Sequence, residues 1–361
     1  MDVTDWIRLS ILSQRLSRPL VPAIERLGGP DGFLGATASE RAEALGGLSR
    51  PAHTVIEGVL KCSTDAQAAS LEPLSAEVVT YWDREYPAGL RDLEAAPVCL
   101  FVRGPSEVFA RRAVAIVGSR QAHAYGLDIA RSMARDLADA GVVVVSGLAL
   151  GVDTAAHQGC LEGRGATVAV TACGIDVNYP SRNRSLRDAI IAGGGVVLSE
   201  FPPGGEPSRD LFVKRNRLLA ALSLLTAVVG ARERSGALIT ARWAGELGRE
   251  VAAVPGSIRD PFNRGSHLLI QDGAHVVDGA ASVLAILGID PAEERIANLD
   301  LDALSPDERI VFDALSHRPC HRDELADRCG LSPAALATAL TLLGARSLIR
   351  ALPGGSYTRG V

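Results

Sequence analysis

Two stretches decide the fold: VAIVGSRQAHAYG at 114–126 and GVVVVSGLALGVDTAAH at 141–157. In each, an apolar, β-branched run enters a Gly/Ser turn and then a helical pattern. Such a turn puts backbone N–H groups and a helix N-terminus at the carboxyl end of a strand, where anions bind, phosphates above all. Two of them in succession point to one crevice for something polyanionic. Arg120 closes the first turn with a guanidinium fork that fits a phosphate bidentately. Neither turn is a G-x-G-x-x-G fingerprint, and no G-x-x-x-x-G-K-[ST] occurs, which argues against an ordinary dinucleotide or ATP site.

The pattern continues outward. Strand-like runs recur at 113–117, 142–145, 167–171, 196–198, 225–229, 251–254 and 275–277, with helical patterns between them. This βαβ rhythm of runs buried on both faces predicts a parallel, Rossmann-like sheet in an α/β domain over 80–288. The stretch 80–110, rich in aromatics and Pro, reads as a connector. Upstream, Ile7, Leu9, Ile11, Leu12, Leu16 and Leu20 recur at helical spacings, and Gly and Pro cut the region into short helices. Residues 1–75 are thus expected to be a helical domain, SAM-like or helix-hairpin-helix-like, with a plain bundle as the alternative. Residues 289–303 read as an acidic linker. Residues 304–361 read as helix, helix, turn, helix and a short hairpin, a winged-helix-like pattern with Ser332 as N-cap and Pro333 opening the third helix.

Composition narrows the function. The 361 residues are 47% hydrophobic with a formal net charge of −5, so attraction to nucleic acid must come from a local patch. No run is long and apolar enough to span a membrane, and the start lacks a signal-peptide pattern. The six cysteines are scattered with no C-x-x-C, as expected of reduced thiols in the cytoplasm, with no metal site and no cofactor. Lys61 and Lys214 are the only lysines. The one basic patch runs from 209 to 234, where Arg209, Lys214, Arg215, Arg217, Arg232 and Arg234 face only Asp210 and Glu233.

At this point the chain resembles the DNA-processing protein A (DprA/Smf) family. The matching residues are Tyr86-Pro87 with Leu90, VAIVGSR at 114–120 with Tyr125-Gly126, SGLALGVDTAAH at 146–157, Gly174, Tyr179-Pro180, Ser199-Glu200, Phe212 with Arg215-Asn216-Arg217, SGALITA at 235–241 and AVPG at 253–256. They run in order over residues 80–280. His267 stands where the family often has Asn, and Val213 where it often has Pro. The resemblance implies a mediator of recombination and natural transformation (competence) that binds single-stranded DNA, loads RecA and forms a homodimer, with a single-stranded-DNA-binding protein as a further candidate partner.

Candidate DNA-contacting residues are Gly118, Ser119, Arg120, Gly147, Arg209, Phe212, Lys214, Arg215, Arg217, Ser235 and Gly236. Phe212 would stack a base or else pack in the core. Arg215, Asn216 and Arg217 are successive and cannot share one helix face, so at most two reach DNA, and Asn216 suits a bond to neighbouring backbone. Ser235 is either a phosphate site at a helix N-terminus or a plain N-cap. Asp153 and His157 read as helix cap and backbone-bonded histidine in preference to an acid–base pair. The rival class is a phosphoribohydrolase-type enzyme recruiting Asp153, Glu200 and Glu246. For the homodimer, the apolar surface at Leu268, Leu269, Ile270 and Leu284 is the candidate interface.

Overall fold

A computed structural model of the chain describes every residue except 17, 164, 292–303, 317–318, 346–347 and 360–361. The expected acidic linker therefore lies almost wholly outside the described residues. Two compact units form, Met1–Leu287 and Gly288–Val361.

The first unit opens with short helices: α1 (Val3–Arg15), α2 (Val21–Arg26), α3 (Pro30–Gly35), α4 (Ala38–Ala44), α5 (Arg50–Leu60) and α6 (Asp65–Ala69). Local chemistry sets their ends. Asp2 with Asp5, and Thr37 with Glu40, form capping boxes at α1 and α4, and Gly28 and Gly29 take positive φ ahead of Pro30. The apolar stripe Ile7, Leu9, Leu12, Leu20, Ile24 and Phe33 is fully buried in a cluster that also holds Cys99, Phe101, Ala169 and Val197. The helical segment is thus fastened to the sheet that follows.

That sheet has nine strands: β1 (Glu77–Thr80), β2 (Cys99–Arg103), β3 (Ala113–Gly118), β4 (Val143–Ser146), β5 (Thr167–Val170), β6 (Val196–Ser199), β7 (Leu225–Val229), β8 (Glu250–Ala253) and β9 (His275–Val276), in the order β1-β2-β6-β5-β4-β3-β7-β8-β9. From β6 to β9 every pairing is parallel, while β2 runs antiparallel to β6 and β1 antiparallel to β2. The stretch expected to be a connector therefore supplies a strand, β2, while β1 ends at its first residue, and the sheet is mixed at that edge. Side chains alternate between two cores: Leu100 and Val102 with Ala113, Ala115 and Val117 on one, Phe101 and Cys99 on the other.

Helices α7 (Ala124–Asp139), α8 (Val152–Glu162), α9 (Arg184–Ala192), α10 (Arg209–Ala221), α11 (Gly236–Glu246), α12 (Arg264–Gln271) and α13 (Ala280–Leu287) complete the unit. From β3 the chain winds outward through β4 and β5 to β6. Then α10 carries it back to β7 on the far side of β3. The winding direction therefore switches between β3 and β7. Ligands in open α/β sheets bind beyond the strand carboxyl ends at such a switch.

In the second unit, helices at Pro306–Ala314, Arg322–Cys329 and Pro333–Ala345 pack with a three-stranded antiparallel sheet of Cys320–His321, Ser356–Arg359 and Ile349–Leu352. Val311, Phe312, Leu325, Leu336, Leu340 and Leu343 form its core. Gly354 and Gly355 turn the wing at positive φ, and the Ser332 hydroxyl accepts from the N–H of Ala335.

Candidate nucleic-acid interface

At the switch point lies a crevice of about 1020 Å³. Its walls are the turn after β3 (Gly118, Ser119, Arg120), the first turns of α10 (Arg209, Phe212, Arg215) and the loop into α11 (Arg232, Arg234, Ser235, Gly236). Three elements distant in sequence converge there because β3 and β7 are hydrogen-bonded neighbours and α10 crosses between them.

The cationic groups dominate the wall. Ser119 N–H donates to Gly230 O (2.9 Å), Gln121 N–H to Ser119 Oγ (3.1 Å), Val152 N–H to Ser119 O (3.2 Å) and Ala149 N–H to Asp153 Oδ2 (3.3 Å). These turn amides are engaged within the protein. Arg120, Arg209, Arg232 and Arg234 add guanidinium groups to the same wall.

Phe212 is half-buried, with two guanidinium groups and one aromatic ring against it. The Arg120 guanidinium lies 4.6 Å from its ring centroid, that of Arg215 5.8 Å, and the Tyr179 ring packs at 5.6 Å, tilted by 54°. Phe212 is therefore a crevice residue and not part of the main core.

Arg215 is buried, donating to Gly147 O (2.8 Å) and to Val170 O. Burial lowers its guanidinium to about 10, opposed by Asp153, so it remains a cation at neutral pH. Burial raises the Asp153 carboxyl above its ordinary value, with Arg215 and the Ala149 amide pulling the other way. Gly147 sits where a Cβ would meet Arg215 Nη2 at 2.6 Å and Asp153 Oδ2 at 2.7 Å. Its role is clearance for this pair, and it is absent from the crevice wall. Asn216 donates to Gly236 O (3.1 Å) and tethers α10 to α11. The Ser235 hydroxyl caps α11 by accepting from Ala237 N–H (3.2 Å).

Two of the expected contacts turn elsewhere. Lys214 points to the helical segment, donating to Gln14 Oε1 (2.6 Å) and Ser13 O (3.4 Å). Arg217, 6% exposed, donates to Glu200 Oε2 at 2.6 Å, and Glu200 is 1% exposed. The cause is helical phase: with Arg209, Phe212 and Arg215 toward the crevice, positions 214 and 217 face other neighbours. Sequence reasoning missed Tyr179 and Arg242, both on the crevice wall. Arg242 could have been found, because it shares the α11 face of Ser235 and Ile239.

The acids of the rival enzyme do not assemble. Glu200 is held by Arg217, and Glu246 pairs with Arg242 (2.8 Å) at the last turn of α11. Of the three only Asp153 lines the crevice. His157 is fully buried and its pKa falls to about 3, chiefly by burial. Its Nδ1 donates to Thr167 Oγ1 (2.8 Å), since that hydroxyl already donates to Val144 O (2.6 Å). Among the described residues no cluster of His, Cys, Asp and Glu could hold a metal, and no helix is long and apolar enough to cross a membrane.

The expected dimer surface is only partly outward. Leu284 is buried in its own unit, Leu269 packs against the main core, and Leu268 and Ile270 are half-buried. His267 Nε2 lies 3.1 Å from Gly256 O, joining α12 to the loop after β8.

Residues 77–288 match the family of the DNA recombination-mediator protein A, and residues 296–355 match the DprA winged helix domain. The chain is 43% identical over 200 residues to the DNA processing protein DprA of Streptococcus pneumoniae (55% of this chain, 70% of that one). It is 35% identical over 280 residues to protein Smf of Escherichia coli (76% and 75%). The X-ray structure of the S. pneumoniae protein superposes with a TM-score of 0.69 at 33% identity, covering 79% of this chain and 98% of that one. DprA from Helicobacter pylori, solved to describe its single-stranded DNA binding mode, gives 0.54 at 28% identity, covering 59% and 96%.

Proposed function

The chain belongs to the DNA recombination-mediator protein A family, and from that premise we propose that it binds single-stranded DNA in the switch-point crevice and delivers it to a RecA-type recombinase without catalysing a covalent step. One observation carries the reading: an arginine-lined crevice at the rim of an acidic protein, with a half-buried aromatic ring inside it. Arg120, Arg209, Arg232 and Arg234 supply phosphate contacts, and Phe212 with Tyr179 supplies an aromatic platform. Gly118, Ser119, Ser235 and Gly236 shape the wall. Cations that track the backbone, combined with a ring for stacking, suit a single strand of any sequence. The H. pylori relative, studied for single-stranded DNA binding, supports the choice of ligand. Family membership supports the RecA partner, the role in natural transformation and a homodimer.

The test is fluorescence anisotropy on oligo-dT and on duplex DNA of equal length. The reading requires tighter binding of the single strand and a steep loss of affinity with salt. Equal affinity for both, or no binding, defeats it. Release of free base from nucleoside monophosphates would favour the enzyme instead.

A further inference from the structure

The loop of Arg232, Glu233 and Arg234 has two sides. One walls the crevice, and the other walls a second groove of about 560 Å³ completed by Ile258, Arg259, Asp260, Pro261 and Arg264. Four arginines face two carboxylates there. Among the described residues, none of these four guanidinium groups is ion-paired. Asp260 instead accepts from Phe262 N–H (2.9 Å) and lies 3.8 Å from His123 Nε2. Four unpaired arginines against two carboxylates leave a net positive field for an external anion.

Two further features match the crevice. The Arg232 guanidinium lies 3.9 Å from the Phe262 ring centroid, a cation–π pair like that of Arg120 with Phe212, although Phe262 lies behind the groove wall with its ring edge-on to His123. Ile258 is 88% exposed, an apolar side chain held out among cations. Arginine with an apolar contact is the chemistry of a nucleotide: the guanidinium holds the phosphate and the apolar group covers a base face.

We infer that this groove is a second DNA subsite, in which a single strand leaving the crevice passes over the 232–234 loop and sets its next phosphates against Arg259 and Arg264. The inference rests on the single-stranded DNA reading of the crevice and extends it from a pocket to a track. Long strands then contact both sites, and short ones only the crevice.

The experiment compares oligo-dT of about 6 and about 20 nucleotides on the full chain, using wild type, R120A, the double variant R259A/R264A, and I258S. Arg259 and Arg264 lie outside the crevice wall. The double variant should lose affinity for the long strand roughly tenfold and lower its salt slope by about 1.4, two phosphates' worth. Short-strand affinity should stay at the wild-type value. I258S should weaken the long strand alone, with the salt slope unchanged. An unchanged long-to-short ratio in R259A/R264A, while R120A weakens both lengths, overturns the second subsite and leaves the crevice reading standing. Wild-type binding unaffected by R120A overturns the crevice reading, and the track with it. Circular dichroism identifies any variant that has lost its fold.

Discussion

The Arg120 guanidinium covers the face of the Phe212 ring, 4.6 Å from its centroid, although the two residues belong to different walls of the crevice. On the proposed reading, a base stacking on that face would take the place of the guanidinium and free it to swing to the adjoining phosphate. Phosphate clamp and stacking platform would then be one device.

The two residues should behave as a coupled pair. Phe212→Ala is expected to weaken oligo-dT binding by about 1–3 kcal/mol, and Phe212→Tyr by much less, because stacking needs the ring. Arg120→Ala should weaken it as well. The double variant should lose less than the two single losses added together, measured by anisotropy in a double-mutant cycle. Strict additivity would separate the two roles.

Lys214 and Arg217 should be silent in binding and audible in stability. Lys214→Ala is expected to keep oligo-dT affinity and salt slope at wild-type values, since its ammonium is engaged with Gln14 and Ser13. Arg217→Ala leaves Glu200 buried without its partner, which should cost about 3–5 kcal/mol in urea unfolding. A normal midpoint for that variant would mean that Glu200 protonates or finds water at little cost.

His157 gives a pH signature. Its folded value, about 3, lies below the ordinary 6.5, so the unfolded chain takes up a proton first as pH falls. Stability is lost between pH 6.5 and about 3, by up to about 1.4 kcal/mol per pH unit. Asp153, raised by burial, works in the opposite direction below its own folded value. Comparing wild type with His157→Gln removes that background. The stability advantage of wild type should shrink as pH falls through this window, and a constant difference by urea unfolding would refute the assignment.

The winged-helix unit should contribute little to single-strand affinity. The exposed positions of its third helix include Ala334, Ala337, Thr338, Thr341 and Leu342, none able to read a base edge as Arg, Asn or Gln does. Deleting 301–361 is expected to leave most oligo-dT affinity intact. A folded truncation that loses most of its affinity would assign this unit to DNA.

For self-association, Leu269 packs against the main core, so a charge there would report folding. Ile270→Arg is the cleaner variant. If the homodimer uses α12, light scattering should show the mass fall toward that of one chain, and an unchanged mass would place the interface elsewhere.

Much of this was legible in the sequence. Continuous β-branched runs such as 142–145 carry their own evidence of burial on both faces, and the rim turns follow from them. The strand Cys99–Arg103 was legible too, as an apolar run between Pro97 and Gly104, but the surrounding Tyr, Trp and Pro masked it. What could not be read was direction within α10. Arg215 and Arg217 look alike in sequence, and only the packing of that helix against Gly147 on one side and Glu200 on another tells them apart. The covering of Phe212 by Arg120 likewise depends on a contact between walls that no local pattern encodes.

Every cation on the crevice wall is an arginine, and the lysine nearest in sequence is turned to the helical segment. Acetylation, which neutralises lysine and spares arginine, has no target there. On the proposed reading, the grip on a strand would be relieved by salt, by a competing polyanion or by a recipient that takes the strand away.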